Sequence, residues 1–202
     1  MTKFISRSLL GFFAMAVTAG AALAETYTDM GKAPSGTYTM DKTHGYVTFT
    51  YSHGGYSNPY LRFRDIDAKL NLDSASIDKS SVEVTINAAS IDSGVDAFDD
   101  HLNGAKFFDT ANHPTITFKS TDVSVDDGKI TMVGDVTIKG KTTPITFTGK
   151  LNKGGLHRRS GKPILGFSAS SNIKRSEYGV DTFAMVGNDV KIIIEAEFNK
   201  QD

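Results

Sequence analysis

The sequence predicts an all-β fold of antiparallel strands, closed into a barrel or stacked as a sandwich. Three observations carry this. Apolar residues recur with period two along most of the chain. Tight-turn signals separate these runs. Only residues 91–112, rich in Asp, Ala and Asn, break the alternation.

The elements follow in order. Residues 1–24 have the make-up of a cleavable export signal: Lys3 and Arg7, an uncharged apolar stretch from Ser8, and the small-x-small tripeptide Ala22-Leu23-Ala24. The apolar run is short for a membrane span, which takes about 20 residues. Cleavage after Ala24 places the protein in the periplasm and leaves residues 25–35 as a polar, flexible lead-in that ends at Pro34-Ser35-Gly36. The strand pattern starts with Val47, Phe49 and Tyr51, alternating with Thr48, Thr50 and Ser52. It resumes in Ile66–Leu72, Val82–Ile86, Ile116–Phe118, Ile130–Ile138, Ile145–Leu151 and Val190–Phe198. Each run has one apolar and one wet face, as in a half-buried antiparallel strand. Asp126-Asp127-Gly128 and Lys139-Gly140-Lys141 read as hairpin turns. Gly154-Gly155 and Arg158-Arg159-Ser160-Gly161 read as a longer exposed loop. A short helix is expected near Asp96, and residues 36–202 form one domain, with no linker or repeat to divide them.

Composition removes several functions. Residues 1–24 hold two basic and no acidic residues, so the remainder carries 20 basic and 23 acidic residues, a balance of −3 that offers nucleic acid no electrostatic footprint. With no cysteine, disulfides, thiolate metal sites, covalent haem and a lipoprotein anchor are excluded. There is no nucleophile elbow and no phosphate-binding glycine loop.

Asp99, Asp100 and His101 could form an acid–base group, but neighbours on a loop rarely face one another, and helix capping explains the carboxylates more simply. The five histidines, His44, His53, His101, His113 and His157, include no pair at local ligand spacing. The expectation is therefore no catalytic residue, no metal and no cofactor. What remains is an aromatic inventory of 13 Phe and 7 Tyr without Trp. Such side chains can plug a small barrel or line a space for one ligand. Phe107-Phe108, in the irregular segment, would serve as an apolar lip.

Several motifs in order resemble the YceI-like family of exported bacterial proteins. They are Gly36-Thr37-Tyr38-Thr39-Met40-Asp41-Lys42-Thr43-His44; Ser90–Gly94 leading to Asp99-Asp100-His101-Leu102 and Phe107-Phe108-Asp109; Pro114–Thr121; Gly134–Gly140 with Pro144; and Lys174–Gly179. The chain departs from the family at Phe98, where Arg is common, and at Lys106, where an acidic residue is frequent. The resemblance implies an eight-stranded antiparallel lipocalin-like barrel with a short helical or irregular segment near residues 92–112. It also implies a carrier that holds a long-chain isoprenoid, quinone-like or other amphiphilic lipid.

On that reading Phe49, Tyr51, Phe63, Phe118, Met132, Phe147, Phe167 and Phe183 line an apolar tunnel. Phe98, His101, Leu102, Phe107 and Phe108 shape its mouth. Partners would be the lipid itself and, transiently, an inner-membrane lipid or electron-transfer protein; nucleic acid is not expected, and a homodimer is allowed. Two rivals remain: a ligand-free structural or stress-interaction module with a plugged barrel, and a metal-dependent enzyme centred on Asp99, His101 and His113.

Overall fold

A computed structural model describes residues 25–202; the expected export signal lies outside the described residues. Ten strands form one antiparallel sheet: β1 (Gly36–His53), β2 (Tyr60–Phe63), β3 (Ile66–Leu72), β4 (Ser81–Asn87), β5 (Ile91–Asp92), β6 (Thr115–Asp126), β7 (Lys129–Ile138), β8 (Lys141–Leu156), β9 (Pro163–Lys174) and β10 (Val186–Lys200). Pairing runs β1-β3-β4-β6-β7-β8-β9-β10 and returns from β10 to β1, so eight strands close into a barrel. Strands β2 and β5 form an annex against the upper half of β1. Closure removes the exposed edges that invite aggregation.

Register places the apolar faces inward. Val47, Phe49 and Tyr51 oppose Ile194, Ile192 and Val190, and Met132 opposes Phe147. Both predicted hairpins are present. Asp127 and Gly128 have φ of 45° and 75°, and Lys139 and Gly140 have 50° and 72°. Two consecutive positive φ values match the right-handed twist of the flanking strands.

Three bulges reset which face points inward: between Met40 and Gly45 in β1, Ser120 and Asp122 in β6, and Leu151 and Lys153 in β8. A bulge adds an unpaired residue and so moves later side chains to the other parity. This is why Tyr38 and Val47, both inward, sit on even and odd positions of one strand.

Two expectations need correction. Gly154-Gly155 is not loop; both lie inside β8, paired with Leu165 and Ile164. Glycine is needed there because a Cβ on Gly154 would stand 2.1 Å from the Tyr27 ring. Nor is the lead-in featureless. Tyr27 bridges to Gly154, and Met30–Lys32 form a 3₁₀ turn that Asp29 caps by accepting from the Gly31 N–H. Met30 and Ala33 are buried. Burial of these two apolar side chains offsets part of the entropy of ordering a polar segment.

The interior has two clusters. One, near the loops that follow β1, β7 and β9, includes Leu61, Phe63, Ile86, Ile116, Phe118, Phe147 and Tyr178. The other, at the far end, comprises Met30, Ala33, Tyr38, Leu70, Leu72, Leu151, Leu165, Ala196 and Phe198.

Candidate functional site: an apolar cavity with a two-loop mouth

One cavity of about 420 Å³ runs through the barrel, lined almost wholly by apolar atoms. Phe49, Tyr51, Phe63, Phe118, Met132, Phe147 and Phe167 stand on its strand walls, and Phe98, His101, Leu102, Phe107, Phe108 and Phe183 stand on the wall formed by the loops. The same cavity also touches Met30, Met40, Arg175 and Phe198. Phe198 lies on the apolar face of the last predicted strand; the other three escaped sequence reading because Met30 lies in a polar stretch, Met40 is offset by a bulge and Arg175 is a cation.

The mouth is built from two segments. The first is α1 (Asp96–Asn103) and the turns after it. Asp96 and Asp99 lie in its first turn, where carboxylates suit the helix dipole. Asp99 Oδ1 also accepts from the Ser93 N–H at 2.7 Å. Phe98, His101 and Leu102, at i, i+3 and i+4, share the face turned to the cavity. The helix stops at Gly104, and backbone bonds from Phe107 N to Gly104 O and from Phe108 N to Leu102 O fold the chain back.

That turn splits the Phe-Phe pair. Phe108 meets Phe63 at 5.6 Å and Phe49 at 6.4 Å, both edge-on, and anchors the segment to the β1–β2 wall. Phe107 points the other way, stacking on Phe183 at 5.4 Å with His101 edge-on at 5.0 Å. Edge-to-face and offset contacts are the favoured aromatic geometries.

The second segment is the strap 179–185 between β9 and β10. Arg175 holds it from inside. Its guanidinium donates to the carbonyls of Gly187, Val180, Phe183 and Val186. A planar fork of five donors can serve four carbonyls at once, whereas a lysine ammonium has only three. Thr182 Oγ1 donates to Lys106 O at 3.1 Å, and Lys139 Nζ donates to Ala105 O at 2.8 Å and Gly179 O at 3.2 Å. These polar links tie the two segments together over the opening.

The grouping of Asp99, His101 and His113 does not assemble. Asp99 is spent on the Ser93 backbone. The His101 ring packs among Phe98, Phe107 and Phe183. His113 lies against Gly140, whose Cβ would come within 2.9 Å of its ring.

Among the described residues, the three groups whose ligating atoms lie within 4.8 Å of one another are Asp41, His44 and Glu197. They sit on the outer wall at the β1 bulge. His44 Nδ1 is 3.0 Å from Asp41 Oδ2, and Asp41 Oδ1 accepts from both N and Oγ1 of Thr43. Those bonds, from His44 first, hold the Asp41 carboxyl down at about 2. The Asp41 carboxylate, then that of Glu197, raises His44. The arrangement closes the bulge on itself.

Beside the mouth, Arg64 and Arg62 both reach Asp92 Oδ2 at 2.8 Å and, with the Gly94 N–H, hold that carboxyl down at about 2. The pair clips the annex strands together. No helix among the described residues is long and apolar enough to cross a membrane.

Comparison with known proteins agrees with this architecture. A family model described as a YceI-like domain matches residues 38–198. "Protein YceI" of Escherichia coli O6:H1 is 34% identical over 181 residues, covering 88% of this chain and 94% of that protein. The crystal structure of a Campylobacter jejuni YCEI protein superposes with a TM-score of 0.67 at 29% identity, covering 72% of this chain and 87% of the other. A Saccharophagus degradans structure described as a polyisoprenoid binding domain gives a TM-score of 0.59 at 15% identity, covering 81% and 98%, and shares the fold. The chain belongs to the YceI family.

Proposed function

We propose that the protein is a periplasmic carrier that holds one long-chain apolar ligand inside the barrel: a polyisoprenoid, a quinone-like lipid or a similar amphiphile. The barrel cavity carries this reading, because its lining extends from the mouth to the far core and is almost wholly apolar. The polyisoprenoid binding attributed to the Saccharophagus degradans relative agrees with it.

Energetics fit. Each buried methylene contributes about 0.8 kcal/mol, enough for a long chain to offset the cost of association and ordering. A wall of aromatic and aliphatic groups discriminates bulk and length more than chemistry. A polar head would stay at the mouth, near His53 and His101. The apolar lining and the commitment of Arg175 to backbone carbonyls favour binding over catalysis. The plugged-module reading is weaker, since the two apolar clusters leave space between them.

The test is native mass spectrometry of protein released from the periplasm without detergent, followed by organic extraction. A discrete added mass that extracts as an apolar chain is expected. Bare polypeptide that also refuses added polyprenol and quinone lipids would overturn the reading.

A further inference from the structure

We infer that Met30 is the floor of the cavity and sets the longest chain the barrel accepts; the inference rests on the carrier reading above. The cavity touches Phe98 and Phe183 at the mouth and Met30 and Phe198 at the other end. Met30, like Ser80, comes from no strand or mouth loop. It is carried by the 3₁₀ turn of the N-terminal segment, yet it is only 5% exposed and packs within the far core. It therefore closes the barrel's end without forming part of its side wall.

The segment that carries it is fastened on both sides. Tyr27 and Gly154 exchange backbone hydrogen bonds of 3.0 and 2.7 Å. On the other side Ala33 N donates to Met30 O at 3.1 Å, and the Tyr38 hydroxyl donates to Pro34 O at 2.6 Å. Tyr38 is itself fully buried. The two ends of the cavity thus differ in kind. At the mouth, loops meet through aromatic contacts and a few polar bonds, and a ligand head can remain in water. At the floor, a thioether side chain with no strong hydrogen-bonding group meets the chain tip. Carbons that Met30 displaces from the barrel have to stay in water.

The experiment offers a mixture of polyprenols of graded chain length to the wild type, Met30→Ala, Met30→Phe and Met30→Leu, and reads the bound distribution by native mass spectrometry. Thermal melting verifies folding. The expected result is an upper length limit that moves to longer chains in Met30→Ala and shorter chains in Met30→Phe, and stays in place in Met30→Leu. Each methylene newly accommodated should raise relative affinity about fourfold, which is the equivalent of about 0.8 kcal/mol.

Gly154→Ala provides a second route that leaves Met30 itself intact. It crowds the Tyr27 ring, loosens the anchor and should also relax the limit. An unchanged limit in folded Met30→Ala and Met30→Phe would overturn the inference while leaving the carrier reading standing. Failure of the wild type to take up either these polyprenols or quinone lipids of graded tail length would overturn both.

Discussion

The rings of Phe107 and Phe183 lie 5.4 Å apart and within 16° of parallel, although 76 residues separate them in sequence. This stack joins the α1 segment to the strap and covers the barrel mouth. Aromatic pairs contribute about 0.5–1.5 kcal/mol beyond their area. A double-mutant cycle of Phe107→Ala and Phe183→Ala should show coupling of that size in urea unfolding. Strict additivity would mean that the two segments are not coupled through this stack.

Arg175→Lys should loosen the strap. The lysine keeps the charge but cannot serve four carbonyls arranged around a planar fork. Hydrogen bonds to charged groups contribute about 1.5–3 kcal/mol each, so a loss above about 2 kcal/mol is expected. Hydrogen exchange should accelerate in residues 180–187 and stay slow in β7 and β8. Uniform acceleration across the barrel would contradict a local role.

Gly134 permits close contact between β7 and β6. A Cβ there would lie 2.4 Å from Lys119 O and 2.6 Å from the Phe118 ring. The neighbour includes backbone, so it cannot simply rotate away. Gly134→Ala should destabilise by about 1–3 kcal/mol, the usual range for overpacking, measured as a lower urea midpoint with unchanged slope.

The Asp41–His44 pair should leave a pH signature. His44 is raised from 6.5, so its stabilisation is complete below 6.5 and is lost as pH rises through its folded value. Asp41 is lowered from 3.8 to about 2, so its stabilisation is complete above 3.8 and is lost as pH falls toward 2. Both contributions are full between these limits. Asp41→Asn should therefore differ most from the wild type between pH 3.8 and 6.5, and NMR should show His44 titrating lower in the variant. Parallel stability–pH curves would exclude the pair as their cause.

Periodicity of two, the Asp127-Gly128 and Lys139-Gly140 turns and a helix near Asp96 were legible because each is a local signal. The aromatic wall was legible for a related reason: on an amphipathic strand, position in the sequence decides the face. Strand β2 was harder, since four residues are too few to establish a period. In β1 the bulge after Met40 shifts the parity that a reader counts on.

Local sequence therefore decided that the chain makes antiparallel strands with one apolar face, and where those strands turn. Whether the facing surfaces meet or stand apart depends on strand number, tilt and stagger, which belong to the closed barrel as a whole. Only the tertiary structure separates a hollow interior from a filled one, brings Phe183 onto Phe107 and sets Arg175 under the strap. It also recruits Met30, from a stretch too polar to be read as core, to the barrel's far end. A side chain's local pattern records which way it faces, while the partner it meets there comes from chain closure over long separations.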